Sequence, residues 1–197
     1  CFALGEIELA SGRIRTLARD EAWDFTQPRY SPDGLTVAFI ASHQGLKHTM
    51  PGQLATVDCK AGAWAVQSAA WDLAVEGPLR WAPDAQSVLL LAEQEGRRHL
   101  WRFDLATQRA DIVVSGAWVE GYDAQGSTVA SVTNAATHPG RLQAHVPGKP
   151  PKRIERFNDA LLTSLTMGRV EERWIQGARG DRVQVWLTYP NNFKDKP

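Results

Sequence analysis

Cysteine and long apolar runs are both scarce in this sequence. Two cysteines occur among 197 residues, Cys1 and Cys59. Two thiols build neither a disulfide framework nor, alone, a zinc site, so the redox compartment stays open. No apolar stretch nears the ~18 residues that cross a bilayer; a run such as Val88 to Ala92 has the length of one strand. An excess of either charge is also absent. The 22 Lys and Arg balance 22 Asp and Glu, which removes the electrostatic reason to seek nucleic acid or an anionic membrane surface. The start of the chain has no signal-peptide pattern. Neither G-x-S-x-G nor H-E-x-x-H occurs anywhere, so no serine nucleophile elbow and no zincin helix is expected. Helical spacing is nearly missing; Asn158-Asp159-Ala160-Leu161-Leu162, with Asn158 as cap, is the exception. The chain opens on Cys1 rather than Met and stops in mid-phrase on Lys194-Asp195-Lys196-Pro197, from which a piece of a longer protein is expected.

What is present repeats itself, and repeats decide the fold before any local signal does. Trp23-Asp24-Phe25 returns as Trp71-Asp72-Leu73, and Trp118-Val119-Glu120 stands at the next equivalent place, spacings of 48 and 47 residues. Ser31-Pro32-Asp33-Gly34 is echoed by Ala82-Pro83-Asp84-Ala85 and more weakly by Asp123-Ala124-Gln125-Gly126. Each marker precedes a strand-like run: Leu35 to Ala41, Ser87 to Ala92, and Ser127 to Val132. Leu100 to Leu105 then alternates, with Trp101, Phe103 and Leu105 on one face and Arg102 and Asp104 on the other. Leu54 to Asp58 is its weaker copy. Gly5 to Leu9 is the copy before that, with a turn at Ser11-Gly12 and a return strand through Ile14 and Leu17.

The local chemistry agrees with this division. Ser, Pro, Asp and Gly in that order suit a type I turn, with Pro32 presetting its φ and Gly34 free to take the left-handed conformation that follows. Runs of Val, Ile and Leu bounded by such turns read as strands buried on both faces. A unit of about 47 residues with four short strands has the size of a propeller blade. The expected fold is therefore all-β: a partial β-propeller of about three four-stranded blades plus the end of another, over residues 1–156. Residues 157–197 form a linker and a C-terminal β-hairpin. That hairpin runs Val170 to Ile175, a turn at Gly177 to Asp181, and Arg182 to Tyr189, with Val183, Val185 and Leu187 on one face. A propeller closes with roughly four to eight blades, so unpaired blade faces are expected to favour self-association.

The Ser-Pro-Asp-Gly blade marker resembles the repeats shared by TolB-like proteins and prolyl oligopeptidase-family serine peptidases. The tail separates the two. Arg156 to Leu162, Val170 to Ile175, Gly180 to Leu187, and Tyr189-Pro190 onward are similar to that peptidase family's passage from propeller to α/β-hydrolase domain, in its dipeptidyl aminopeptidase and acylaminoacyl-peptidase branch. The resemblance implies a parent that cleaves short peptides with a Ser-Asp-His triad. In it this piece would be a non-catalytic, substrate-gating propeller segment whose partner is the parent's own hydrolase domain. It implies no metal or other cofactor, no nucleic-acid or membrane partner, and a periplasmic or secreted parent rather than a cytoplasmic one. The triad would lie beyond Pro197, so no catalytic, cofactor-binding or metal-binding residue is assigned within the chain. The alternative is a non-enzymatic TolB-like scaffold that binds another protein.

Several residues invite a functional assignment that bland geometry accounts for better. His43 and His48 sit five apart in what reads as a loop, His138-Pro139-Gly140 reads as a turn, and His99 and His145 stand alone; no metal spacing joins them. Asp24, Asp33, Asp72 and Asp84 recur with the repeat, as turn-capping residues do, whereas an active site needs one asymmetric constellation. Trp23, Trp71, Trp118 and Trp101 fit a blade core. Trp64, Trp81 and Trp174 are less defined, and Trp186, opposite Val185, is placed to pack between the two parts of the chain. Arg179-Gly180-Asp181 fits a hairpin tip on geometry alone. Arg97-Arg98 and Lys149 to Arg153 read as solvated loop charges.

Overall fold

Strand follows strand through the computed structural model, which describes residues 2–45 and 49–194. β1 (Leu4–Ile7) and β2 (Ile14–Ala18) form a two-stranded sheet. Three four-stranded antiparallel meanders follow. Blade A holds β3 (Trp23–Tyr30), β4 (Thr36–His43), β5 (Gln53–Asp58) and β6 (Trp64–Val66). Blade B holds β7 (Glu76–Trp81), β8 (Ser87–Gln94), β9 (Arg97–Asp104) and β10 (Arg109–Val114). Blade C holds β11 (Trp118–Gln125), β12 (Thr128–Ala135), β13 (His138–His145) and the short β14 (Lys152–Arg153). The one-turn helix α1 (Asp159–Thr163) precedes a separate hairpin of β15 (Val170–Gln176) and β16 (Arg182–Thr188). The architecture is a partial β-propeller.

The blades are held by seams, and the period-2 geometry of a strand divides each middle strand between two of them. Along β4, Val37, Phe39 and Ala41 face the β1–β2 sheet, where they pack with Leu4, Leu17, Phe25 and Val57. The alternate residues, Ala38 and Ile40, face blade B and meet Leu79, Val88, Leu90 and Phe103. On β8, Val88, Leu90 and Ala92 belong to that second seam, while Leu89 and Leu91 join Leu100, Val119, Tyr122 and Val129 in a third, against blade C. β4 and β8 are thus buried on both faces, as their unbroken apolar runs require. On β12, by contrast, Val129, Ser131 and Thr133 are buried and Ala130, Val132 and Asn134 are half-exposed. Leu162, Leu165 and Met167, after blade C, line a shallow pocket with Asn134, Ala136 and Pro139 at its edge.

An aromatic side chain crosses each seam to the sheet before it. Tyr30 hydroxyl bonds Glu6 of β1. Trp81 Nε1 donates to the Arg29 carbonyl of β3 at 2.9 Å. Tyr122 Oη lies 2.6 Å from the Pro78 carbonyl of β7 and 2.7 Å from that of Leu89. Burial drives the Tyr122 phenol well above its ordinary pKa, so it stays a donor.

The turn chemistry expected of Ser31-Pro32-Asp33-Gly34 is present. Asp33 Oδ1 accepts the Leu35 N–H at 3.0 Å and the Ser31 hydroxyl, and Gly34 takes φ +71°. In the second copy Asp84 Oδ1 accepts the Gln86 N–H at 2.9 Å. There Ala85 adopts φ +55°, a conformation in which a Cβ is strained.

Trp71 lies in the link ahead of β7, whereas Trp23 and Trp118 head strands. It still reaches the core, edge-on to Trp101 at 5.4 Å. Asp123-Ala124-Gln125 is strand, not turn marker; the β11–β12 reversal needs only Gly126 and Ser127. His138-Pro139-Gly140 lies within β13, where the ladder to β12 is irregular and β14 is too short to ask for the missing Pro139 N–H. His43 ends β4 instead of lying in a loop, its ring 4.9 Å from that of Trp23. Asn158 occupies the N-cap position without a side-chain cap bond, and Arg153 engages the first-turn Asp159 at 2.6 Å. Cys1 and His48 lie outside the described residues.

Two substitutions test this packing. Leu90→Ala empties a fully buried site in the A–B seam and should cost about 2–5 kcal/mol in chemical denaturation. Ala85→Gly should stabilise by up to about 1 kcal/mol, by relieving the positive φ that Gly34 takes freely; a loss of stability would refute the equivalence of the two turns.

Candidate interface between propeller and hairpin

In every blade the chain runs the same way, so one rim of the stack collects equivalent pieces. These are the heads of β3 and β11, the turns between second and third strands, and the links between blades. The hairpin sits on this rim. Its residues split by strand parity. Val170, Glu172, Trp174, Gln184, Trp186 and Thr188 share one face, and Glu171, Arg173, Ile175, Val183, Val185 and Leu187 the other. The first face carries the side chains that meet blade B.

The meeting point is the β8–β9 turn. Gln94 pairs with Arg97, leaving Glu95 and Gly96 as a two-residue loop with φ +51° and +64°. Both central residues of a type I′ hairpin turn need such values. A Cβ on Gly96 would lie 2.9 Å from Trp186 Nε1, so the backbone approaches the indole as only glycine permits. Gln184 Nε2 donates to the Glu95 carbonyl at 2.7 Å and to Glu172 Oε1 at 3.0 Å. Arg97 reaches Glu172 Oε2 at 2.6 Å, and its guanidinium carbon lies 4.5 Å from the centre of the Trp186 ring. Both partners of that ion pair are about three-quarters buried, which shields them from salt better than an exposed pair.

Between the hairpin and blades B and C lies a cleft of about 390 Å³ lined by Gly96, Trp118, Ala117, Ala136, Val170 and Trp186 among others. Trp118 therefore borders this cleft and belongs to none of the three seam clusters, against its expected place in a blade core. The neighbouring Arg98 points away from the hairpin, pairing with Glu76 at 2.7 Å and lying 6.0 Å from the Trp118 ring. Arg97 and Arg98, expected as solvated loop charges, are half-buried, paired strand residues. The sequence offered one hint, the Glu95-Gly96 turn between two strands; nothing local ties it to Glu172, 76 residues on.

The other singled-out residues are placed as follows. His99 is buried in β9, edge-on to Trp101 at 6.0 Å, and burial lowers its pKa. His145 Nε2 and Ser131 Oγ are 2.8 Å apart, but Ser131 is 1% exposed inside the B–C seam, out of reach of any substrate. Among the described residues no group of three or more His, Cys, Asp or Glu is arranged to hold a metal ion. Asp24 accepts the Phe2 N–H at 2.7 Å, and Asp72 is exposed. Trp64 joins Trp23 at the first seam. Trp174 donates to Glu172 Oε1 at 3.1 Å. Arg153 pairs with Glu155 at 2.9 Å, while Arg179-Gly180-Asp181 forms the exposed hairpin tip. No described helix is long and apolar enough to cross a membrane.

No family model matches the chain. Among curated proteins it is 26% identical over 190 residues to dipeptidyl-peptidase 5 of Porphyromonas gingivalis, a match that takes in 94% of this chain. The chain is similar to part of a prolyl oligopeptidase-family peptidase. It spans 27% of the length of that relative. Two solved structures show the same fold. Acylaminoacyl peptidase of Pyrococcus horikoshii superposes with a TM-score of 0.71 at 14% identity, covering 94% of this chain and 28% of its own. TolB of Acinetobacter baumannii gives 0.59 at 15% identity, covering 77% of this chain and 37% of its own. The prolyl oligopeptidase-family likeness thus takes in part of the chain that the TolB likeness leaves out.

The lowered pKa of Glu172 gives this interface a signature. Arg97 first, then Gln184, holds its carboxyl below the ordinary range, so its contribution is present above the ordinary glutamate pKa and lost as pH falls through the lowered one. The Trp174 indole N–H resonance, bonded to that carboxylate, should titrate with a midpoint below about 4.3. A midpoint at or above that value would mean that Arg97 does not hold Glu172.

Proposed function

We propose that this chain is the non-catalytic, substrate-gating part of a serine peptidase that hydrolyses short peptides in the manner of a dipeptidyl-peptidase or an acylaminoacyl-peptidase. The observation that carries the proposal is the reach of the relationship to dipeptidyl-peptidase 5: it runs through 94% of the chain, blades and hairpin together. In this proposal residues 1–156 are propeller, and 157–197 lead into an α/β-hydrolase domain that supplies the Ser-Asp-His triad. The blades would restrict which peptides reach that domain, and the rim that carries the hairpin would face it. No residue of this chain is given a catalytic, cofactor-binding or metal-binding role.

A second reading has its own support. The blades superpose on TolB over 77% of the chain, consistent with a scaffold whose rim loops bind another protein. Fluorophosphonate labelling of the full-length gene product, with this 197-residue piece as control, separates the two. The peptidase reading expects labelling of the full-length protein alone. A folded full-length protein that resists labelling would overturn it in favour of the scaffold.

A further inference from the structure

Among the described residues the hairpin shares no backbone ladder with any blade, and none of its residues enters the three apolar clusters that join the sheets. Its attachment to blade B is of a different kind. The Arg97–Glu172 pair, the Arg97 guanidinium over Trp186, the Gln184 amide on the Glu95 carbonyl, and the close approach at Gly96 all converge on one two-residue turn. Apolar contact tolerates sliding and rotation. A stacked guanidinium that also binds a carboxylate, beside an amide bonded to a fixed carbonyl, is satisfied in one geometry only. Glu172 and Trp186 are direct cross-strand partners, so Arg97 grips both strands of the hairpin at once.

We infer that the Glu95–Gly96 turn and Arg97 form a docking latch for the hairpin, with Arg97 the positioning residue that sets how residues 170–188 stand on blade B. The surface fits an antiparallel strand pair that presents Glu and Trp opposite each other and Gln two pairs further on, on the same face. Arg98, turned toward Glu76 and Trp118, takes no part. The latch joins two parts of this chain and stands whether or not a hydrolase domain follows.

An isolated two-stranded hairpin is marginal in water, so release from blade B reads out as faster amide exchange across residues 170–188. Exchange would be followed by mass spectrometry in Arg97→Glu, Glu172→Arg and the double exchange of charge. Each single reversal should speed exchange in the hairpin by about tenfold while peptides from β8 and β12 keep their protection. The double reversal should recover more than half of the loss on a logarithmic scale, a rescue that a merely structural role for either residue would not give. Gln184→Ala lies on the hairpin and leaves blade B untouched; about threefold faster exchange is expected from it. Arg98→Gln should leave hairpin exchange unchanged. Unaltered hairpin protection in Glu172→Arg and Gln184→Ala, or losses that simply add in the double reversal, would overturn the latch.

Discussion

Everything in this propeller rests on burying the middle strands of its blades from both sides. A four-stranded meander of about 45 residues has no closed interior; its apolar side chains are covered only when another sheet lies against each face. Phe39 and Leu90 are fully buried because a neighbour stands on the appropriate side of each. That demand fixes the composition of β4 and β8 and holds the sheets face to face. It leaves the inner strand β3 largely exposed beyond Phe25. The exposed edges of the stack, not its centre, are where polar chemistry is free to vary.

The hairpin obeys a different rule. Its far face carries Ile175, Val183, Val185 and Leu187, and Ile175 and Val183 are exposed. Its near face is held by charge, stacking and an amide. Seams between blades are therefore broad and apolar, whereas the joint between propeller and hairpin is narrow and polar. The proposed arrangement, in which a second domain would face the rim, would call for that division. Rigidity comes from area, and orientation from directional bonds.

Much of the architecture was legible from the repeat. The Ser-Pro-Asp-Gly turn, the apolar run after it and the alternation of Trp101 and Phe103 each carry a period that only strands satisfy, and the tail's change of pattern announced the hairpin. Register was less legible. Trp71 kept the spacing of Trp23 and Trp118 but fell in a link, because blade B spends its extra residues before β7. Asp123 mimicked a turn residue yet lies in β11, bonded to Arg80 at 2.8 Å. Least visible was the latch. Arg97 looks like any surface arginine until folding brings Glu172 and Trp186 to it. A pairing across so long a stretch of chain has no local spacing to betray it.

Tyr30, Trp81 and Tyr122 each reach back from an inner strand to the sheet before it. Their effect is best put in terms of cooperativity length. In a linear array of like units, stability divides into the intrinsic stability of each unit and a coupling to its nearest neighbour. If the coupling dominates, the units melt together; if it weakens, the array breaks into independent blocks. A bond from each blade to the previous one adds to the coupling without adding to the blade. The three aromatic ties thus favour a single melting transition for the whole stack, although no blade here is large enough to have a core of its own.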